Sequence, residues 1–230
     1  MNQQRLDTFS GYAGTSPEVR NRVLRNTYWL LAVSLVPTVL GAWIGVSTGI
    51  MAAMGTGVSV ILFLGGAFGF MYAINKTKES STGIYVLLAF TFFMGLMLSR
   101  MLAAVLGFKN GGSLIMTAFG GTAIVFFAMA SLATVIKRDL SSMGKFMFAG
   151  VIVLLIAGLV NIFLQSSVLM LVISVMAILI FSALLLYDVK RVIDGGETNY
   201  ISATLAIYLD IYNIFQSLLA ILGIAGGERD

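Results

Sequence analysis

The chain has no cysteine and no histidine. Disulfides, thiol nucleophiles, Cys/His metal centres and Ser-His-Asp triads are therefore excluded by inventory. Carboxylates alone remain as buried groups able to titrate near neutral pH. Charge is scarce too: 10% of the 230 residues are charged and 59% are hydrophobic, whereas a soluble domain carries about 25% charged residues. This is the composition of an integral membrane protein.

A membrane-spanning helix needs roughly 20 apolar residues. Such runs fall at about 27–48, 55–74, 83–106, 113–136, 146–164, 167–187 and 202–224, which predicts seven spans. The first is expected to stay in the mature protein, because a polar leader precedes it and no small-residue cleavage site follows a short apolar core. The expected organisation is a cytoplasmic polar leader at 1–26, one seven-helix domain at 27–224 and a short external tail at 225–230. The leader to about Thr15 lacks helical periodicity and is expected to be flexible. Short turns, near Gln165 to Ser167 and around Lys109 to Gly112, make consecutive helices antiparallel neighbours.

Orientation follows from the basic residues. Arg5, Arg20, Arg22, Arg25, Lys76, Lys78, Lys137, Arg138, Lys145, Lys190 and Arg191 all fall on one side of the seven-span arrangement, with Lys109 and Arg229 opposite and Arg100 inside the third span. The amino terminus is thus expected in the cytoplasm and the carboxyl terminus outside. The net charge of +4 reflects this bias and calls for no nucleic-acid partner, since the basic residues are spread over short loops.

Glycine is abundant, with Gly65, Gly66 and Gly69 in the second span and Gly120 and Gly121 in the fourth. Small residues let lipid-immersed helices approach closely, so these glycines are read as packing positions. The methionines are read as gap-fillers. Arg100 lies about six residues from the outer end of its span, roughly 9 Å along the helix. It either snorkels to the interface or makes an inward ion pair with a carboxylate.

Two aspartates stand out. Asp188 closes the run FSALLLY and precedes Lys190 and Arg191, so it is either an anchor paired with those cations or a functional carboxylate. Asp210 lies about two turns into the seventh span, where a carboxylate is a functional-site hypothesis by default. Tyr208, Tyr212, Asn213 and Gln216 join it within three turns, with Asp210 and Asn213 spaced i, i+3 and Tyr212 and Gln216 spaced i, i+4. A helix this polar is expected at the centre of the bundle, enclosed by the other six.

The segments LLYDVKRVI, GGETNYI and ATLAIYLDIYNIFQSLLAILG in the last third resemble the bacterial Bax inhibitor-1 family of transmembrane proteins. VLRNTYWLL, GGTAIVFFAMASLA and GLVNIFLQ resemble its YccA-like branch, so the likeness runs along nearly the whole chain. The resemblance implies an all-α fold of seven transmembrane helices with the seventh central, in the bacterial inner membrane. It also implies a pH-sensitive calcium leak gated by the aspartate dyad Asp188 and Asp210. No cofactor is implied. Calcium is the permeant ion, held transiently by the two carboxylates as a hard cation by oxygen ligands. Two carboxylates in contact cannot both ionise cheaply, so they are expected to share a proton and tie the last two helices together.

The same branch implies a second role, as substrate or modulator of the membrane-anchored protease FtsH, with the polar leader as a handle. Intramembrane aspartyl proteolysis is a remote third reading: Asp210 follows Tyr208 and Leu209 instead of completing GxGD, and the only prolines are Pro17 and Pro37, so no PAL motif exists. No enzymatic activity is expected.

Overall fold

The computed structural model describes residues 16–138 and 140–227. Residues 1–15, the part of the leader expected from sequence to be flexible, and residues 228–230, the end of the expected tail, lie outside the described residues. Eight helices follow one another among the described residues: α1 Pro17–Thr48, α2 Ile50–Ala53, α3 Thr56–Thr77, α4 Thr82–Leu106, α5 Gly111–Val135, α6 Ser141–Leu164, α7 Ser167–Ile193 and α8 Tyr200–Gly226. All but the single turn α2 are long and apolar enough to cross a membrane. The all-helical, seven-span architecture read from the apolar runs is the observed one.

The helix ends follow local chemistry. Ser16 caps α1 by accepting from the Val19 N–H, with Pro17 at the first helical position, where its missing N–H costs nothing. The helix therefore starts ten residues before the expected span at 27, inside the stretch read as leader. It stops at Gly49, whose φ of 65° is the left-handed conformation that glycine enters freely. Between α6 and α7 the link is two residues long. Gln165 takes φ 50°, the Asn161 Oδ1 accepts from the Ser166 N–H at 3.1 Å, and Ser166 in turn caps α7 by accepting from the Leu169 N–H. A second correction concerns α7, which runs on to Ile193, six residues beyond the expected end of its span.

α8 is the most deeply buried of the seven spans. It packs on α7, α5, α1 and α4, and lightly on α3. The expectation of enclosure by all six other helices fails at α6, which lies outside against α7 and buries none of its described side chains. A sequence that is apolar on every side suits lipid as well as protein, so α6 is stable on the periphery.

The most extensive pairing is α1 with α4. There the backbones touch: a Cβ on Gly41 would collide with the Phe92 carbonyl oxygen, and one on Gly95 with that of Thr38. Between lipid-immersed helices such proximity replaces a hydrophobic driving force. Gly65, Gly69 and Gly120, read from sequence as packing positions, meet nothing within 4 Å, whereas Gly66 abuts Phe93 and Gly121 lies near Leu218. The two kinds of glycine cannot be told apart by composition.

Gly41→Val is accordingly expected to destabilise the protein by about 1–3 kcal/mol through overpacking, whereas Gly69→Ala is expected to be neutral or stabilising by up to about 1 kcal/mol. Thermal unfolding in detergent, monitored by the two tryptophans, distinguishes the two outcomes.

Candidate functional site

The site is built on α8. At 100° per residue, Tyr208 and Tyr212 share one face of this helix and Asp210 points to nearly the opposite one. A central helix can be polar on both sides only if each side finds partners inside the protein.

The tyrosine face turns to α1 and α4. The Tyr208 hydroxyl lies 2.9 Å from Thr38 Oγ1 and donates toward the Thr91 carbonyl at 3.5 Å. The Tyr212 hydroxyl donates to the Met94 carbonyl at 3.1 Å and accepts from Gln216 Nε2 at 3.3 Å. The two rings stack at 6.1 Å, and Phe90 meets Tyr208 edge-on. Asn213, spaced with Asp210 in the sequence reading, instead donates back to the Leu209 carbonyl of its own helix at 2.8 Å. Thr204 fastens the start of the helix by donating to the Tyr200 carbonyl and, at 3.3 Å, to the Thr27 carbonyl of α1.

The opposite face turns to α7, the partner with which α8 packs most extensively. Asp210 is 3% exposed, and its carboxyl faces that of half-buried Asp188 within hydrogen-bonding reach. The buried Asp210 Oδ2 meets no N–H or O–H donor among the described residues. Two ionised carboxylates offer each other only lone pairs. A hydrogen bond between them exists only while one carries a proton. The geometry is that of a carboxyl pair able to hold one proton between helices and to repel when it is lost.

The cations read from sequence as possible partners of Asp188 are engaged elsewhere. Lys190 Nζ donates to Asp194 Oδ1 at 2.6 Å, and Arg191 Nη2 donates to Glu197 Oε2 at 3.0 Å. Arg191 still lies near enough to act on Asp188 electrostatically. Arg100 is exposed and donates to Thr56 Oγ1 at 3.2 Å and Ser59 Oγ at 3.4 Å, both at the start of α3. It stands at the opposite end of the bundle from Asp188, and of its two sequence readings the snorkelling one describes its position. A resident calcium takes about six to eight oxygen ligands. Among the described residues no group of three or more acidic side chains is placed to hold a metal.

Sequence reasoning missed Glu197 and Asn199, although both sit in the GGETNYI segment. Glu197 Oε1 accepts from the Asn199 N–H at 2.9 Å. Asn199 Oδ1 caps α8 by accepting from the Ile201 and Ser202 N–H groups, while Nδ2 donates to the Lys78 carbonyl at 2.8 Å and to Glu79 Oε1 at 3.2 Å. The turn before α8 is thereby tied to the turn after α3. An Asn directly before a polar-apolar helix was a readable cap signal; its reach across 120 residues was not.

A family model described as "Inhibitor of apoptosis-promoting Bax1" matches residues 20–227. The chain belongs to the Bax inhibitor-1 family. Among its relatives, the "Modulator of FtsH protease YccA" of Escherichia coli is 41% identical over 219 residues, covering 95% of this chain and 97% of that protein. The same identity is found to the "Inner membrane protein YccA" of a second E. coli strain. An "Uncharacterized membrane protein" of Vibrio cholerae is 41% identical over 208 residues, covering 89% and 90% of the two chains. The YccA-like resemblance and the Bax inhibitor-1 assignment thus agree over almost the whole length.

Asn199→Ala removes both the cap and the tie to the α3–α4 turn. It is expected to cost about 1–2 kcal/mol and to raise hydrogen exchange at the first turn of α8 and at residues 78–82, as read by mass spectrometry. Faster exchange at α8 alone would mean that the bridge to Lys78 and Glu79 contributes nothing.

Proposed function

We propose that the chain is a pH-sensitive calcium leak of the bacterial inner membrane, with Asp188 and Asp210 as its latch. The observation supporting this is the buried carboxyl pair between α7 and α8, in a bundle where the buried Thr204, Tyr208 and Tyr212 of α8 are matched by a hydroxyl or a carbonyl. With one proton shared, the pair ties the two helices by a charge-assisted hydrogen bond. As pH rises and the proton is lost, two adjacent charges repel, the helices part, and two oxygen ligands are offered to a hard cation. Flux therefore rises with pH. The amino terminus lies in the cytoplasm, because the end of the bundle carrying Arg20, Arg22, Arg25, Lys190 and Arg191 is the basic one.

A liposome calcium-flux assay over a pH series tests the latch. Asp210→Asn keeps a hydrogen bond to ionised Asp188 and is expected to give a low flux that no longer follows pH. Asp188→Asn removes the anionic acceptor and loosens the helix pair. The two effects should be non-additive, because one shared proton cannot be removed twice. An unchanged pH profile in Asp210→Asn would remove the pair from the mechanism. Orientation is tested separately by a carboxyl-terminal reporter active only in the cytoplasm, which is expected to stay silent.

A second reading is favoured by the extent of the match to YccA, whose name makes it a modulator of the FtsH protease. On that reading this chain binds or restrains the corresponding membrane-anchored protease, with the stretch before α1 as the handle. Co-purification with FtsH, and slower turnover of an FtsH substrate when the chain is overproduced, are the expected results. Loss of both on deleting residues 1–15 would locate the handle there.

A further inference from the structure

Arg100 is an exposed cation on α4, a helix long and apolar enough to cross the membrane. Charged residues in such helices are rare and usually find a counter-charge. Among the described residues Arg100 has none. Glu18 opens α1, Glu79 lies in the turn after α3, Asp188, Asp194 and Glu197 lie at the end of α7 and just beyond it, and Asp210 is buried in α8. Arg100 stands at the other end of the bundle, where α3 begins and α4 ends. Its place there is set by the seam between those helices. Gly66 packs on the Phe93 ring so closely that a Cβ would collide with it, and seven residues along each antiparallel helix from that contact, two turns on the same face, stand Ser59 on α3 and Arg100 on α4.

The depth of the guanidinium follows from the length of α3. That helix has 22 residues, about 33 Å at 1.5 Å per residue, against about 30 Å of hydrocarbon. Its first turn therefore stands at the level of the lipid headgroups, and Arg100, which donates to Thr56 Oγ1 at 3.2 Å and Ser59 Oγ at 3.4 Å, reaches that level too. A guanidinium carries five N–H donors. Two of them meet neutral hydroxyls. Ser59 donates its own proton to the Gly55 carbonyl at 3.2 Å, whereas the Arg100 Nε–H, the second hydrogen on each Nη and the Thr56 O–H meet no acceptor among the described residues. Four donors around one positive charge call for an anion with several acceptor oxygens.

We propose that Arg100, Thr56 and Ser59 bind the phosphate of a membrane phospholipid, and that the site selects headgroups of net negative charge. Ser59 holds the guanidinium, Thr56 both holds it and donates to the ligand, and the free N–H groups of Arg100 take the phosphate oxygens. In phosphatidylcholine or phosphatidylethanolamine the phosphate travels with a cation of its own, which would need an acid beside Arg100, and the described residues offer none there. Phosphatidylglycerol brings only the negative charge. Its acyl chains then lie along the exposed Val58 and Ile61 of the same helix. The site is at the far end of the bundle from the carboxyl pair, so the two stand or fall separately.

The test is native mass spectrometry of the full chain in an uncharged detergent, titrated with phosphatidylglycerol and, in a separate series, with phosphatidylcholine. One phosphatidylglycerol is expected to bind more tightly than any phosphatidylcholine. Arg100→Gln should weaken that first binding about tenfold, the loss expected for a hydrogen bond to a charged group. Arg25→Gln removes the same charge at the opposite end of the bundle and should change it less than about twofold, since charges separated by more than the Debye length are screened. Equal losses in the two variants would mean a general attraction of anionic lipid to a basic protein and overturn the site, as would an unchanged affinity in Arg100→Gln. Equally tight phosphatidylcholine overturns the selection of charge. Inorganic phosphate is added as the free-anion arm, and its displacing the bound lipid would make this a site for a soluble anion and overturn the lipid assignment. Should Arg100→Gln fail to fold, Thr56→Val, which exchanges a hydroxyl for a methyl of similar size, is expected to weaken the first phosphatidylglycerol about threefold. No weakening in that variant overturns the proposal.

Discussion

Hydrocarbon offers no hydrogen bonds, and the arrangement of this bundle follows from that one constraint. α8 carries Thr204, Tyr208, Asp210, Tyr212, Asn213, Gln216 and Ser217, more polar groups than a lipid-facing helix tolerates. It is therefore enclosed, and its neighbours are those with something to offer. α1 and α4 supply the carbonyls of Thr27, Thr91 and Met94 and the hydroxyl of Thr38. α7 supplies a carboxyl. α6 supplies nothing and needs nothing, and it stands on the rim.

The two faces of α8 differ in kind. The tyrosine face bonds neutral donors to backbone acceptors that do not titrate, on a wall where Gly41 and Gly95 bring α1 and α4 into backbone contact. The aspartate face depends on a proton that can leave. On the proposed latch reading, a change of pH acts on one wall of the central helix and not on the other, and the displacement falls to α7 and to the α6 joined to it by two residues. The family match and the likeness to YccA are compatible with this division, since a pH-dependent helix pair can serve a leak or the control of a partner.

Much of this was legible in the chain. Seven apolar runs gave seven spans, because length and composition alone decide whether a segment can cross a bilayer, and the polarity of the last run placed it at the centre. The aspartates were visible as charges in the wrong solvent. What remained hidden was pairing. Lys190 and Arg191 stand beside Asp188 in the sequence and were possible partners for it, yet they bond Asp194 and Glu197 of the α7–α8 turn. Arg100 looked able to reach a carboxylate from sequence spacing alone, yet its guanidinium lies against Thr56 and Ser59 at the start of α3. Gly65 and Gly41 are the same residue in similar surroundings, and only the path of a second helix separates a contact from open lipid.

The central position of α8 also has a consequence for biosynthesis. Helices emerge from the ribosome in chain order, so the one at the centre is the last to arrive. Until Tyr200 and the residues after it enter the membrane, α1 and α4 can close on each other through their glycines, but Asp188 has no carboxyl to share a proton with and the backbone sites for Tyr208 and Tyr212 stand empty. The half-made protein thus carries an unpaired acid near one membrane surface, which marks every copy that has not yet received its final helix.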